Sequence, residues 1–97
     1  MKPEWKDTTS YSRDEPASER SPREFSIRGK RLTVTIYKYH LGHRKYTDEW
    51  YFSCRRLSMN EGKLGVTDVE QAKLKALKIV LDVANAVRDD IGSFLTA

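Results

Sequence analysis

Cysteine is nearly absent from this 97-residue chain, Cys54 being the only one. That excludes an internal disulfide framework, and a lone thiol fits a reducing compartment such as the cytoplasm. Long apolar runs are missing too. None approaches the roughly 18–20 residues of a membrane-spanning helix, and the opening Met1-Lys2-Pro3-Glu4-Trp5-Lys6 lacks the apolar stretch of a secretory leader. Histidine is confined to His40 and His43, and a zinc site would need two further ligands. No glycine-rich phosphate loop, nucleophile elbow or His-Glu-x-x-His motif occurs. Carboxylates are adjacent at Asp48-Glu49 and Asp89-Asp90, but neighbours on a strand or helix point apart. These absences argue against an enzyme, a metal or cofactor site, and a membrane protein.

Hydrophobic residues make up 38% of the chain and charged residues 33%, with a mean hydropathy of −0.71. This suits one small globular domain with a polar extension. The net charge of +4 is concentrated in the middle. Residues 25–66 carry nine basic and three acidic side chains, whereas residues 1–24 and 67–97 are each slightly acidic. A local positive field of this kind bears on binding partners and association rate rather than on fold.

Residues 1–24 hold all three prolines and alternating charges, with Met1, Trp5, Tyr11 and Ala17 as their apolar content. So little buriable surface does not offset backbone ordering, about 1–2 kcal/mol per residue. The segment reads as a flexible N-terminal arm, in which Trp5 and Tyr11 are the residues able to dock on the sheet or on a second subunit.

Residues 25–97 read as a single α+β domain. Phe25 and Ile27 flank Ser26, and Gly29-Lys30 marks a turn. From Arg31 to His40 the period is two, with Leu32, Val34 and Ile36 on one face and Thr33, Thr35, Tyr37 and Tyr39 on the other. Residues 41–47 form a hairpin connection, and residues 48–57 a return strand in which Trp50, Phe52 and Cys54 alternate with Tyr51, Ser53 and Arg55. A thiol turned into that apolar face is a structural group, not a nucleophile. Asn60-Glu61-Gly62 reads as a turn and residues 63–66 as a short edge strand.

Thr67-Asp68-Val69-Glu70 has the form of a capping box. Val69, Ala72, Ala76, Leu77, Val80, Val83, Ala84, Val87 and Ile91 then line one side at helical spacing until Gly92, which is able to stop the helix. The predicted architecture is a small antiparallel three- to four-stranded β-meander packed on one long C-terminal α-helix, in the order ββ(β)βα. A core of this size supplies roughly 3–5 kcal/mol, and Leu74, Ile79, Leu81 and Ala86 widen the apolar arc beyond what one sheet covers. Both points favour a homodimer through the C-terminal helix. In order of elements, Trp50-Tyr-Phe-Ser-Cys54 followed by Leu64-Gly-Val-Thr-Asp-Val-Glu-Gln-Ala72 resembles a small three-stranded sheet entering a helix, as in the amino-terminal DNA-binding domains of phage-type integrases and the plant AP2 domain. The resemblance covers about half the chain and carries no residue role with it.

The expected site is the sheet face turned from the helix. Tyr37, Tyr39, Tyr51 and Arg55 would make stacking or direct contacts, and Arg31, Lys38, Arg44, Lys45 and Arg56 would supply electrostatic attraction. Aromatic rings among cations suit single-stranded nucleic acid, in which bases stack and phosphates pair with cations. Cross-strand threonine and tyrosine pairs also stabilise a solvated sheet with no ligand at all, by about 0.2–1 kcal/mol each. Nucleic acid is the favoured partner. The alternative is a larger protein, bound by an adaptor or inhibitor through the sheet face and N-terminal arm, in the manner of small phage and mobile-element accessory proteins.

Overall fold

Alternating side chains in residues 32–36 and 50–54 leave one apolar face that must be covered, and the covering element is the C-terminal helix. The computed structural model describes residues 3–11, 21–42 and 45–96. Among the described residues, seven strands and one α-helix follow in chain order: β1 (Trp5–Asp7), β2 (Glu24–Arg28), β3 (Thr33–Tyr37), β4 (His40–Gly42), β5 (Lys45–Tyr46), β6 (Tyr51–Cys54), β7 (Met59–Lys63) and α1 (Val69–Thr96). Five strands form one antiparallel sheet in the order β1-β2-β3-β6-β7, and β4 and β5 make a separate small hairpin. The architecture is the expected α+β arrangement, with a wider sheet.

Strand parity is as read. Val34, Ile36, Trp50, Phe52 and Cys54 are buried and form one cluster with Leu64 and with Ala72, Ala76 and Val80 of the helix. Small residues at 72 and 76 let the helix approach the sheet closely. Asp68, rather than Thr67, caps the helix: its carboxylate accepts from the Gln71 N–H at 2.9 Å and its carbonyl from the Ala72 N–H. The Thr67 carbonyl instead accepts from the Trp50 indole N–H at 3.0 Å, tying the helix start to β6.

The start of the N-terminal arm is not loose. Trp5, Lys6 and Asp7 pair with Ile27, Ser26 and Phe25 as an edge strand, and Trp5 packs against the margin of the core. A single hydroxyl fastens the chain just beyond it. Thr9 Oγ1 accepts from the backbone N–H groups of Arg23 and Glu24 at 2.8 and 2.9 Å and donates to the Glu24 carbonyl. Arg23 is buried, with its guanidinium 4.2 Å from the Tyr46 ring centre and 5.4 Å from that of Tyr11. The remainder of the arm, residues 12–20, lies outside the described residues.

Three further elements differ from expectation. The return strand is shorter, because Arg55–Leu57 turn into a 3-10 helix ended by Ser58 in the left-handed region. The expected turn at Asn60-Glu61-Gly62 lies inside β7, where a register irregularity opposite Phe52 and Cys54, with Glu61 at φ 55°, absorbs the bend. The helix continues through Gly92, where a stop was expected, to Thr96, and leaves Phe94 and Leu95 74% and 81% exposed.

Gly62 sits opposite Phe52 in the β6–β7 pair, and a Cβ there would collide with the Phe52 ring. Phe52 is locked in the core, so Gly62→Ala is expected to destabilise the fold by about 1–3 kcal/mol. Gly29→Ala, whose added carbon meets only the Leu32 carbonyl at 3.6 Å, is expected to change little. Urea or thermal melts of both variants check this pair.

Candidate functional site

The face of the sheet turned away from α1 carries hydroxyls, tyrosines and arginines, because every side chain between the buried ones projects there. Hydroxyls run across its first three strands: Thr8 Oγ1 lies 3.2 Å from Ser26 Oγ, which lies 2.8 Å from Thr35 Oγ1. Thr35 in turn faces Ser53 on β6. These contacts hold the strands in register and leave a polar floor.

Antiparallel topology sorts the charged and aromatic groups to opposite ends of that floor. The end of β2, the start of β3 and the end of β6 meet at one edge, where Arg28, Lys30, Arg31, Arg55 and Arg56 line an open groove of about 880 Å³. Glu24 and Glu61 also line it, so cations outnumber carboxylates in its wall. The Gly29 N–H donates to the Leu32 carbonyl at 2.9 Å, closing the turn that sets Arg28, Lys30 and Arg31 together.

The end of β3 and the start of β6 bring up the tyrosines. Tyr37 and Tyr51 are paired across the strands, with rings stacked at 6.1 Å between centres and 26° between planes. Tyr39 stands edge-on to both, at 5.4 and 4.6 Å. All three are half-buried, and of the three it is Tyr37 that lines the groove. Thr47 holds Tyr39 in place, accepting from its N–H at 3.0 Å and donating its own N–H to the Tyr39 carbonyl. Partial burial, followed by hydrogen bonding with Glu61 and Tyr37, raises the Tyr39 hydroxyl well above the ordinary tyrosine range.

The sequence-predicted residues separate into three groups. Tyr37, Arg31, Arg55 and Arg56 share the groove, with Tyr39 and Tyr51 joined to it through the ring cluster. Lys38 does not belong there, since its ammonium lies 5.1 Å from the Trp50 ring centre and Trp50 is part of the core face. Its even position in the strand, the same parity as Val34 and Ile36, is the physical reason. Lys45 is exposed on the small β4–β5 hairpin, and Arg44 lies outside the described residues. Arg28 and Lys30 are groove residues that the site reading missed, although both were counted in its charge. The overlooked signal was their place around the Gly29-Lys30 turn, at the same sheet edge as Arg55.

Cys54 is fully buried in the core cluster. The His40 ring packs at 5.2 Å from that of Tyr46, and His43 lies outside the described residues. Among the described residues, no group of three or more histidine, cysteine, aspartate or glutamate side chains converges, and no helix is long and apolar enough to cross a membrane. No family model matches the chain, and no curated protein or solved structure matches it either.

A hydroxyl raised in the folded state keeps its proton after unfolded tyrosines, near pH 10, have lost theirs. The stability this contributes is complete below about pH 10 and is lost as pH climbs through the folded value. Tyr11 is raised as well, through its hydrogen bond to Asp7, and in an ultraviolet titration of the folded protein Tyr39 is expected to add a late-ionising step of its own. Tyr39→Phe should remove that late step and flatten the alkaline loss of stability measured by urea melts.

Proposed function

We propose that this chain is a small, non-enzymatic, basic binding module that takes a nucleic acid strand along the open face of its sheet. The observation that carries the reading is the gathering of Arg28, Lys30, Arg31, Arg55 and Arg56 in one groove with Tyr37 at its other end. Guanidinium groups pair with phosphate oxygens in planar, two-pronged contacts. A tyrosine held by its neighbours offers a ring to a base without a large entropic cost. The hydroxyl floor adds donors and acceptors for sugar and phosphate. In this reading Tyr37, with Tyr39 and Tyr51 behind it, and Arg55 make the direct contacts. Arg31 and Arg56 supply attraction, Lys45 extends the field from the hairpin side, and Arg44 adds its charge.

The module works in the cytoplasm in this proposal, where its lone thiol stays reduced. Its second partner is another copy of the chain, met through the C-terminal helix. A purely protein-binding role is the second reading, and the exposed apolar end of α1 is what favours it, with Phe94 and Leu95 among the most exposed hydrophobic residues.

Fluorescence anisotropy with labelled DNA and RNA oligonucleotides tests the proposal. Binding is expected at about 50 mM salt, with log K falling linearly against log salt at a slope near −0.7 per phosphate contacted. Arg55→Ala and Arg56→Ala should each weaken binding and flatten that slope by the share of one contact. Tyr37→Ala should cost about 1–3 kcal/mol if a base stacks there. Lys38→Ala is the internal control and should leave affinity near that of the parent. Absence of binding at low salt, or a Lys38 effect equal to that of Arg55, would remove the proposal.

A further inference from the structure

From Ala86 to Thr96 every residue of α1 is exposed, so about three turns of helix run on with no support from the sheet. An isolated helix of that length is marginal in water, and Gly92, Ser93 and Thr96 are weak helix formers. The apolar pattern nevertheless continues. Leu74, Leu77, Leu81, Ala84, Ile91 and Leu95 recur in alternating steps of three and four residues once Arg88 is counted between Ala84 and Ile91, and Leu74, Leu81 and Leu95 are 64%, 58% and 81% exposed. This stripe lies roughly a quarter-turn round the helix from Ala72, Ala76 and Val80, the residues that the sheet buries. It is a heptad seam that its own fold covers in part at Leu77 and leaves exposed at Leu74, Leu81, Ile91 and Leu95.

Two charged residues occupy seam positions, Glu70 at one end and Arg88 near the other. They stand at equal distances from the midpoint at Ile79, and so do Leu74 and Ala84, and Leu77 and Leu81. The stripe is therefore complementary to itself when reversed. Placed antiparallel, Glu70 of one copy meets Arg88 of the other, Leu74 meets Ala84 and Leu77 meets Leu81, each twice. Placed parallel, the same seam sets Arg88 against Arg88 and Glu70 against Glu70 in a desolvating interface. Antiparallel helices also oppose their dipoles. The exposed side-chain pairs in which Glu70 and Arg88 now take part, with Lys73 and Asp89, are of the surface kind that contributes little and is readily exchanged.

We propose that a second copy of this chain docks antiparallel along this seam, with Glu70 and Arg88 closing each end. The unsupported helix end, with Ile91 and Leu95, then lies across the start of the other copy's helix, where Val66 and Val69 are only half-buried. This rests on the self-association put forward above, gives it a surface and an orientation, and is independent of the groove.

Sedimentation equilibrium of the full chain at rising micromolar concentration is expected to show a dimer, and Leu81→Glu a monomer that keeps its near-ultraviolet tryptophan signal. Glu70→Arg and Arg88→Glu should each weaken the dimer by about tenfold, while the two together on one chain should restore it, since the reversed charges still meet. Chains carrying Glu70→Cys and Arg88→Cys should cross-link to each other when mixed and not to themselves. Cys54 is buried and does not compete. A monomer at all concentrations overturns both the seam and self-association. A dimer that cross-links Arg88→Cys to itself, or that the double reversal fails to restore, overturns the antiparallel seam while self-association stands.

Discussion

Ala72 and Ala76 press against the apolar side of β3 and β6, and every other feature of the molecule follows from that contact. Val34, Ile36, Phe52 and Cys54 are buried in it to 3% exposure or less. Because strands alternate, burying that set turns Thr33, Thr35, Tyr37, Tyr51, Ser53 and Arg55 outward. A one-residue slip of β3 would bury Thr33, Thr35 and Tyr37, a slip of β6 would bury Tyr51 and Ser53, and either would put its core residues into water. The register of the exposed face is thus enforced by the hydrophobic energy of the opposite face. Gly62 belongs to the same constraint, since the Phe52 ring occupies the space where any other residue at that position would begin its side chain.

The groove is a consequence of connectivity laid over that parity. Antiparallel pairing places the β2–β3 turn beside the end of β6 and the exit of β3 beside the start of β6. Cations held by the Gly29-Lys30 turn and by the 3-10 turn after β6 therefore meet at one edge, while tyrosines collect at the other. Arg31 and Tyr37, and Tyr51 and Arg55, stand only six and four residues apart in sequence, and the length of β3 and β6 is what separates them. Glu61, in the left-handed region on β7, reaches the tyrosine end and helps hold the Tyr39 hydroxyl protonated. The tyrosine rings pack on one another by stacked and edge-on contacts, which in the proposed role would reduce the entropy lost on binding.

The helix serves two surfaces at once. One stripe, ending near Val80, belongs to the sheet; a second begins at Leu74 and runs to Leu95, with Leu77 packed on the margin of the core and Leu74, Leu81, Ile91 and Leu95 exposed. A 28-residue helix spans about 42 Å, well beyond the reach of strands of five residues or fewer. The molecule extends to 59 Å in its long direction and only 20 Å in its short one. The exposed apolar surface of that helix is what the proposed antiparallel dimer would cover.

Much of this was legible from the order of residues alone. The alternation in residues 32–36 and 50–54, the long amphipathic helix and the positive middle third are local patterns, written within a few turns or a few residues of themselves, and each appears in the fold as read. Other features were not local. The strand Trp5–Asp7 is too short and too polar to show a period, and it exists because β2 offers a free edge and Thr9 satisfies three backbone groups from a distance. Arg28 and Lys30 became part of the site only when two turns were folded to the same edge, and Lys38 left it because its backbone position pointed the ammonium at Trp50. Periodicity registers which side of an element is apolar; it contains nothing about which distant edge or turn will come to lie beside it, because that pairing energy is paid between segments remote in sequence.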